Sequence, residues 1–306
     1  MTTIPLEAWL SLLGLLVLPF SVRASVRQRF LWLVTSSLAF IAVFLEQDIL
    51  RLLVIDLLAL GMMFGSIEAS HRRVEALIKF QIFQSLGTLI LISHILSFNL
   101  LSDPARDLLL ILGLALKLGL FPMHRAWVDH MDASSPLVGL WFSFVYRLCW
   151  IFSLLNTGVS FVPGLWLGMM TLFVSALLIL PQSNLNRAQA YLNLFVTGLL
   201  GIALGLFFPQ QSALAPILLA LASFPKSCLP DADGFLSFDH RGSLSQRQGL
   251  GLWAIVIVPI AVSLYTIEAA GQAASINQTI VINGLIILAS FPLIYRTSKI
   301  YWLLKP

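Results

Sequence analysis

Apolar runs of about 20 residues partition this sequence, and that is the length a helix needs to cross ~30 Å of hydrocarbon. They fall near 5–20, 29–45, 50–66, 76–97, 107–122, 136–155, 163–181, 190–208, 211–229, 250–267 and 279–295. Inside hydrocarbon no water satisfies a backbone amide, so each run must pair its own, as a helix does. The expected fold is all-α: a polytopic membrane helix bundle of about eleven transmembrane helices. The spans and short loops use up nearly the whole chain. Residues 1–306 are therefore expected to form a single transmembrane domain. The longest polar loop is expected over 225–248, between the ninth and tenth runs.

Charge placement supports this partition. Only 10% of residues are charged against 58% hydrophobic, and the mean hydropathy is +0.92. Numbering the faces alternately puts thirteen of the eighteen Lys and Arg on one face, including Arg23, Arg72, Arg125, Arg187 and Arg241. Only Arg51 and Arg106 fall on the other. The positive face is the cytoplasmic or matrix side, so the N-terminus is expected outside. The net charge of +4 thus reflects loop residues and does not point to nucleic acid. The start, MTTIPLEAW, lacks the basic residues of a signal or transit peptide.

Three basic residues and one acid remain inside the spans: Lys79, Lys117, Arg147 and Asp56. A lysine in hydrocarbon costs at least ~2.5–3.5 kcal/mol and needs a partner or a water-filled cavity. Lys117 lies about two helical turns from the nearest end of its run. Pro122 follows, and proline breaks or kinks a helix. A broken helix after Lys117 is expected, with Lys117 as an ion-handling group beside the break. The bland alternative is that it snorkels to the interface. Asp56 is mid-span; beside a lysine it would stay ionised and couple the two proton affinities. Lys79 sits four residues after Glu75, the spacing of an ordinary helix ion pair. Arg147 is mid-helix and does not release its proton, which favours a structural or electrostatic role. His124, in the polar segment after Pro122, is a candidate for proton uptake, or a solvated loop residue.

Cys149 and Cys228 are too few for a disulfide framework and lack metal spacing. No nucleophile–base motif, phosphate loop or haem-spacing histidine pair occurs. The chain is expected to hold no cofactor or metal of its own.

Four stretches then resemble a known family, the antiporter-like membrane subunits of respiratory complex I, and subunit 2 of NADH:ubiquinone oxidoreductase within it. They are VEALIKFQIFQSLGTLIL (74–91), LKLGLFPMHRAWVDHMDASSP (116–136), NLNRAQAYLNLFVTG (184–198) and CLPDADGFL (228–236). Together they make 50–240 the best-matched part of the chain. The resemblance implies that Asp56, one residue from register with the family's glutamate, pairs with Lys117, the lysine of the broken helix. It also matches Lys79 to the lysine of the family's Ile-Lys-Tyr-Phe segment. Arg147 falls near the family's next central lysine if one gap is allowed. Phe238 stands where the family has a lysine after Gly-Phe.

By that resemblance the chain is a membrane-arm subunit taking part in proton translocation coupled to NADH:ubiquinone electron transfer. Asp56, Lys79, Lys117, Arg147 and His124 would form its proton pathway. NADH, FMN, iron–sulfur clusters and ubiquinone would belong to partner subunits of the respiratory chain. The expected location is the mitochondrial inner membrane, with the N-terminus in the intermembrane space, or a bacterial plasma membrane. Two alternatives remain open: a degenerate structural subunit without a complete proton path, or a subunit of a cation/proton antiporter.

Overall fold

The structure, a computed structural model, describes Pro19 and residues 24–45, 47–64, 71–97, 102–157, 162–182 and 185–207. Every regular element among them is helical. In order these are α1 (Val26–Ala42), α2 (Asp48–Phe64), α3 (His71–Leu96), α4 (Asp103–Leu118) and α5 (His124–Ala133). Then comes α6, residues 136–157, which runs unbroken through Pro136–Leu140, a π-helical turn at Trp141–Tyr146, and Arg147–Thr157. Last are α7 (Val162–Ile179) and α8 (Leu185–Phe207). Seven of the eleven expected spans are among these. The expected runs at 211–229, 250–267 and 279–295, and all of 5–20 but Pro19, lie outside the described residues, as do Cys228 and Phe238.

Local chemistry sets the helix ends. α1 opens on a capping box: Gln28 N–H donates to Ser25 Oγ (3.2 Å), and Ser25 N–H donates to Gln28 Oε1 (3.0 Å). Two donors that the first turn leaves over are satisfied that way. Proline stands in the first turn of both α4 and α6, where its missing N–H costs nothing. Among the described residues, Val74–Leu96 and Pro136–Ser153 are long and apolar enough to cross a membrane. At 17 residues each, α1 and α2 rise about 25 Å, the lower edge of what a span needs.

Two expectations need correcting. The break after Lys117 is not made by Pro122. α4 stops at Leu118 because Gly119 takes φ +70°, the left-handed conformation that ends helices and that glycine adopts without strain. The segment after Pro122 is not a loop either: it is α5, which buries Trp127, Val128, His130 and Met131. Its closely spaced charged and histidine residues obscure the apolar face.

α6 forms the centre. Of the residues in Pro136–Ser153, 94% are buried, against 33% of an 18-residue stretch within Val74–Leu96 of α3. The α6 side chains Trp141, Phe142, Tyr146 and Trp150 pack with one another and with Phe80 of α3 and Trp127 of α5, mostly edge to face. The outer surface is apolar instead of polar: Phe30 is 68% exposed, Leu57 68%, Leu89 62% and Trp166 64%. Lys117, Arg147 and Asn193 have no exposure at all. Charge inside and large apolar side chains outside is the arrangement for a surround of lipid. α7 and α8 cross at backbone contact: a Cβ on Gly198 would lie 2.8 Å from the Gly168 carbonyl oxygen. Small residues permit such an approach where lipid supplies no hydrophobic drive.

Candidate functional site

The break builds the site. Where α4 stops, its last carbonyls lose their helical partners. Gly119 and Leu120 N–H both turn back to the Ala115 carbonyl, Leu120 at 2.8 Å. The Leu118 carbonyl stays available. The Phe121 N–H, freed by the same break, donates to Thr171 Oγ1 of α7 at 2.9 Å. The carbonyl end of a helix carries partial negative charge, which favours a cation there, and two buried cations use it.

The first is Lys117, in the last turn of α4. Its Nζ lies 2.7 Å from Asp56 Oδ1 and 2.6 Å from Oδ2, on α2. The third ammonium donor goes to Thr88 Oγ1 of α3 at 2.6 Å. The Trp150 ring of α6 lies 4.9 Å from Nζ. The Lys117 side chain has no exposure, whereas that of Asp56 retains 15%. The Thr88 hydroxyl donates to Asp56 Oδ2. Tyr146 of α6 lies 3.1 Å from Asp56 Oδ1 and 2.7 Å from Gln84 Oε1. Gln84 is fixed in turn by donating to the Leu116 carbonyl at 3.3 Å. Four helices thus converge on one carboxylate. The pair can hold a proton on Nζ or on the carboxyl, under 3 Å apart, so a small electrostatic change decides between charged and neutral forms.

The second cation is Arg147, also without exposure. No carboxylate pairs with it among the described residues. NH1 donates to the Asn193 main-chain carbonyl at 3.1 Å and to the Asn193 side-chain oxygen. NH2 donates to the Leu118 carbonyl at 3.4 Å, a group the break set free. The guanidinium lies 4.0 Å over the Trp127 ring of α5, a cation–π contact strengthened by the burial of both groups. Carbonyl dipoles and a π face replace a counter-ion. Tyr146 and Arg147 are neighbours on α6, yet Tyr146 reaches α2 and α3 while Arg147 reaches α4 and α8. At 3.6 residues per turn, consecutive side chains already point about 100° apart, which sends the two to different neighbours; the π turn Trp141–Tyr146 ends between them.

The other expected site residues stand apart. Lys79 makes an exposed pair with Glu75 at 2.5 Å, both side chains more than half exposed, and does not reach the buried network. His124 is half-buried at the start of α5, its ring stacked 5.9 Å from that of Phe121. His130 is buried against Phe80, ring centroids 4.2 Å apart. Asp129 on α5 pairs with Arg187 at 3.0 Å, which ties α5 to the start of α8.

Reading charges alone missed the neutral residues of the site: Gln84, Thr88, Tyr146, Trp150 and Asn193. A signal for three of them was present. Gln84 and Thr88 are polar at i, i+4 within an apolar run, and Gln189, Asn193 and Thr197 repeat that spacing on α8. Residues four apart share one helix face, and all five are buried.

The fold has solved counterparts. A chain in the structure of respiratory complex I from Thermus thermophilus with bound aureothin matches with a TM-score of 0.73 and 17% identity. The match covers 95% of this chain and 75% of that one. A chain of the Mrp complex from Dietzia sp. DQ12-45-1b matches with a TM-score of 0.66 and 16% identity, covering 97% of this chain and 64% of that one. The present chain thus spans three quarters of the first counterpart and under two thirds of the second. No protein-family model and no curated protein matches the sequence. The chain shares its fold with a chain of a complex I structure and with a chain of an Mrp complex, in agreement with the resemblance read from its motifs.

Proposed function

We propose that this chain is a membrane-arm subunit of a respiratory complex I, akin to subunit 2, and that it carries protons across the membrane. Electron transfer from NADH to ubiquinone in partner subunits would drive it, and those subunits would hold the FMN, iron–sulfur clusters and quinone. The observation that supports this best is the Lys117–Asp56 pair, buried where α4 breaks. A disturbance that draws Asp56 away lets Lys117 give up its proton, and restoring the pair favours its reloading. His124, beside the break, is the uptake candidate. Arg147 keeps its charge at any accessible pH; it sets the local field and does not pass a proton on. Lys79 takes no step in this scheme. The membrane is the mitochondrial inner membrane or a bacterial plasma membrane, with the Arg-rich face on the matrix or cytoplasmic side.

The test is protons moved per electron, with electron transfer measured in parallel, in membranes carrying Lys117→Ala. A fall in the ratio with the assembly intact is expected. An unchanged ratio overturns the pump reading and leaves a structural subunit. That second reading draws on one observation, the fixed Arg147 cation held at the same helix break as Lys117. Purification without flavin and iron–sulfur subunits would instead favour a cation/proton antiporter.

A further inference from the structure

A hydroxyl has one proton to donate, and the Tyr146 hydroxyl stands within reach of two acceptors. Gln84 Oε1 is at 2.7 Å and Asp56 Oδ1 at 3.1 Å. The shorter distance assigns the proton to Gln84 while the ion pair is closed. The more distant acceptor, Oδ1, is one of the two oxygens that Lys117 holds, at 2.7 Å. If Lys117 withdraws, Oδ1 loses that donor inside a nearly closed site. A buried carboxylate oxygen without a donor is costly, and Tyr146 is already in place to supply one.

We infer that Tyr146 is an exchangeable donor that rests on Gln84 while Lys117 holds Asp56 and transfers its hydrogen bond to Asp56 when Lys117 lets go. Tyr146 and Gln84 are positioning residues for the ion pair, and this role rests on the proton-carrying function proposed for the chain. The geometry singles them out. Both are enclosed in the core. Gln84 is anchored at the Leu116 carbonyl, one residue before Lys117, so a shift of the Lys117 turn is felt at Gln84. The Tyr146 ring is held by Trp127, Phe142 and Trp150, and its hydroxyl reaches α2 and α3. The groups facing Asp56 are Lys117 from α4, Thr88 from α3 and Tyr146 from α6, while Gln84 of α3 and Cys149, one turn further along α6, face Tyr146. Arg147 is turned away to Asn193 and Trp127. The arginines of α1, Arg27 and Arg29, stand in its first turn.

Two variants with opposite expected signs form the test. Tyr146→Phe keeps the ring and deletes the donor. The ionised carboxylate then loses support, and the acid limb of the pH profile for protons per electron should move up by about one unit. Gln84→Met keeps the volume and deletes the resting acceptor, so Tyr146 donates only to Asp56 and the acid limb should move down. In the double variant the Gln84→Met shift should vanish. Carboxyl infrared bands in the assembled complex, assigned by their loss in Asp56→Asn, give the same readout without pumping. Shifts of one sign in both single variants, or a Gln84→Met effect that survives Tyr146→Phe, overturn the exchange. If Lys117→Ala leaves pumping unchanged while the infrared shifts keep opposite signs, the exchange stands and the pump reading alone fails.

Discussion

The strongest single prediction concerns the coupling between Lys117 and Asp56. Lys117→Met removes a fully enclosed cation that makes two hydrogen bonds to Asp56 and one to Thr88. Breaking a buried ion pair from one side costs about 3–5 kcal/mol, because the survivor is left uncompensated. Asp56 keeps 15% exposure and the donors Thr88 and Tyr146, which puts Lys117→Met at the low end, about 3 kcal/mol. Asp56→Asn leaves an ammonium with no exposure and belongs at the upper end, about 4–5 kcal/mol. The double variant removes both charges, and replacing a whole buried pair by neutral groups of similar size is often close to neutral. With a near-neutral double variant, the two single losses make the coupling between the sites about 7–8 kcal/mol. The assay is equilibrium unfolding of the wild-type, single and double variants in mixed micelles under identical conditions. Additivity within about 0.5 kcal/mol would refute the claim that these residues act as one buried unit.

The break carries two further predictions. Gly119→Ala must place a Cβ 2.8 Å from the Trp127 side chain at φ +70°, so a loss of at least about 1–2 kcal/mol and weaker assembly are expected in the same unfolding assay; an unchanged stability would refute the glycine's role. Asn193→Leu takes the side-chain acceptor from Arg147 and should cost about 1.5–3 kcal/mol, the range for hydrogen bonds to charged groups. A loss below about 0.5 kcal/mol would mean that the main-chain carbonyls of Asn193 and Leu118 suffice.

Among the described residues the sequence was enough to place seven of the eight helices, because apolar length answers directly to hydrocarbon thickness. α1, α2, α3, α4, α6, α7 and α8 each fall on an apolar run. It also singled out Asp56, Lys117 and Arg147, since a charge in a span needs a reason wherever the chain places it. α5 was not legible: ten residues carrying two histidines, two aspartates and an arginine show no apolar stripe wide enough to read. The cause of the break was misplaced for a related reason. Proline is a conspicuous helix breaker, whereas the left-handed turn at Gly119 depends on how Trp127 packs over it.

Only the tertiary structure decided who meets whom. Asp56 and Lys117 are 61 positions apart, and Tyr146 and Asp56 are 90 apart; a hydropathy pattern has no access to such contacts. The i, i+4 spacing already offered Lys79 its exposed partner Glu75, but nothing in the sequence showed that Lys117 turns inward to Asp56. The lone charge on Arg147 makes the same point. From sequence it lacks a partner; in the fold its partners are the Leu118 and Asn193 carbonyls and the face of Trp127. Apolar length and isolated charge are properties of a segment by itself, so the sequence determined the helices and the charged residues to watch. Hydrogen-bond partners and burial are properties of packed neighbours, and they exist only once the helices are assembled.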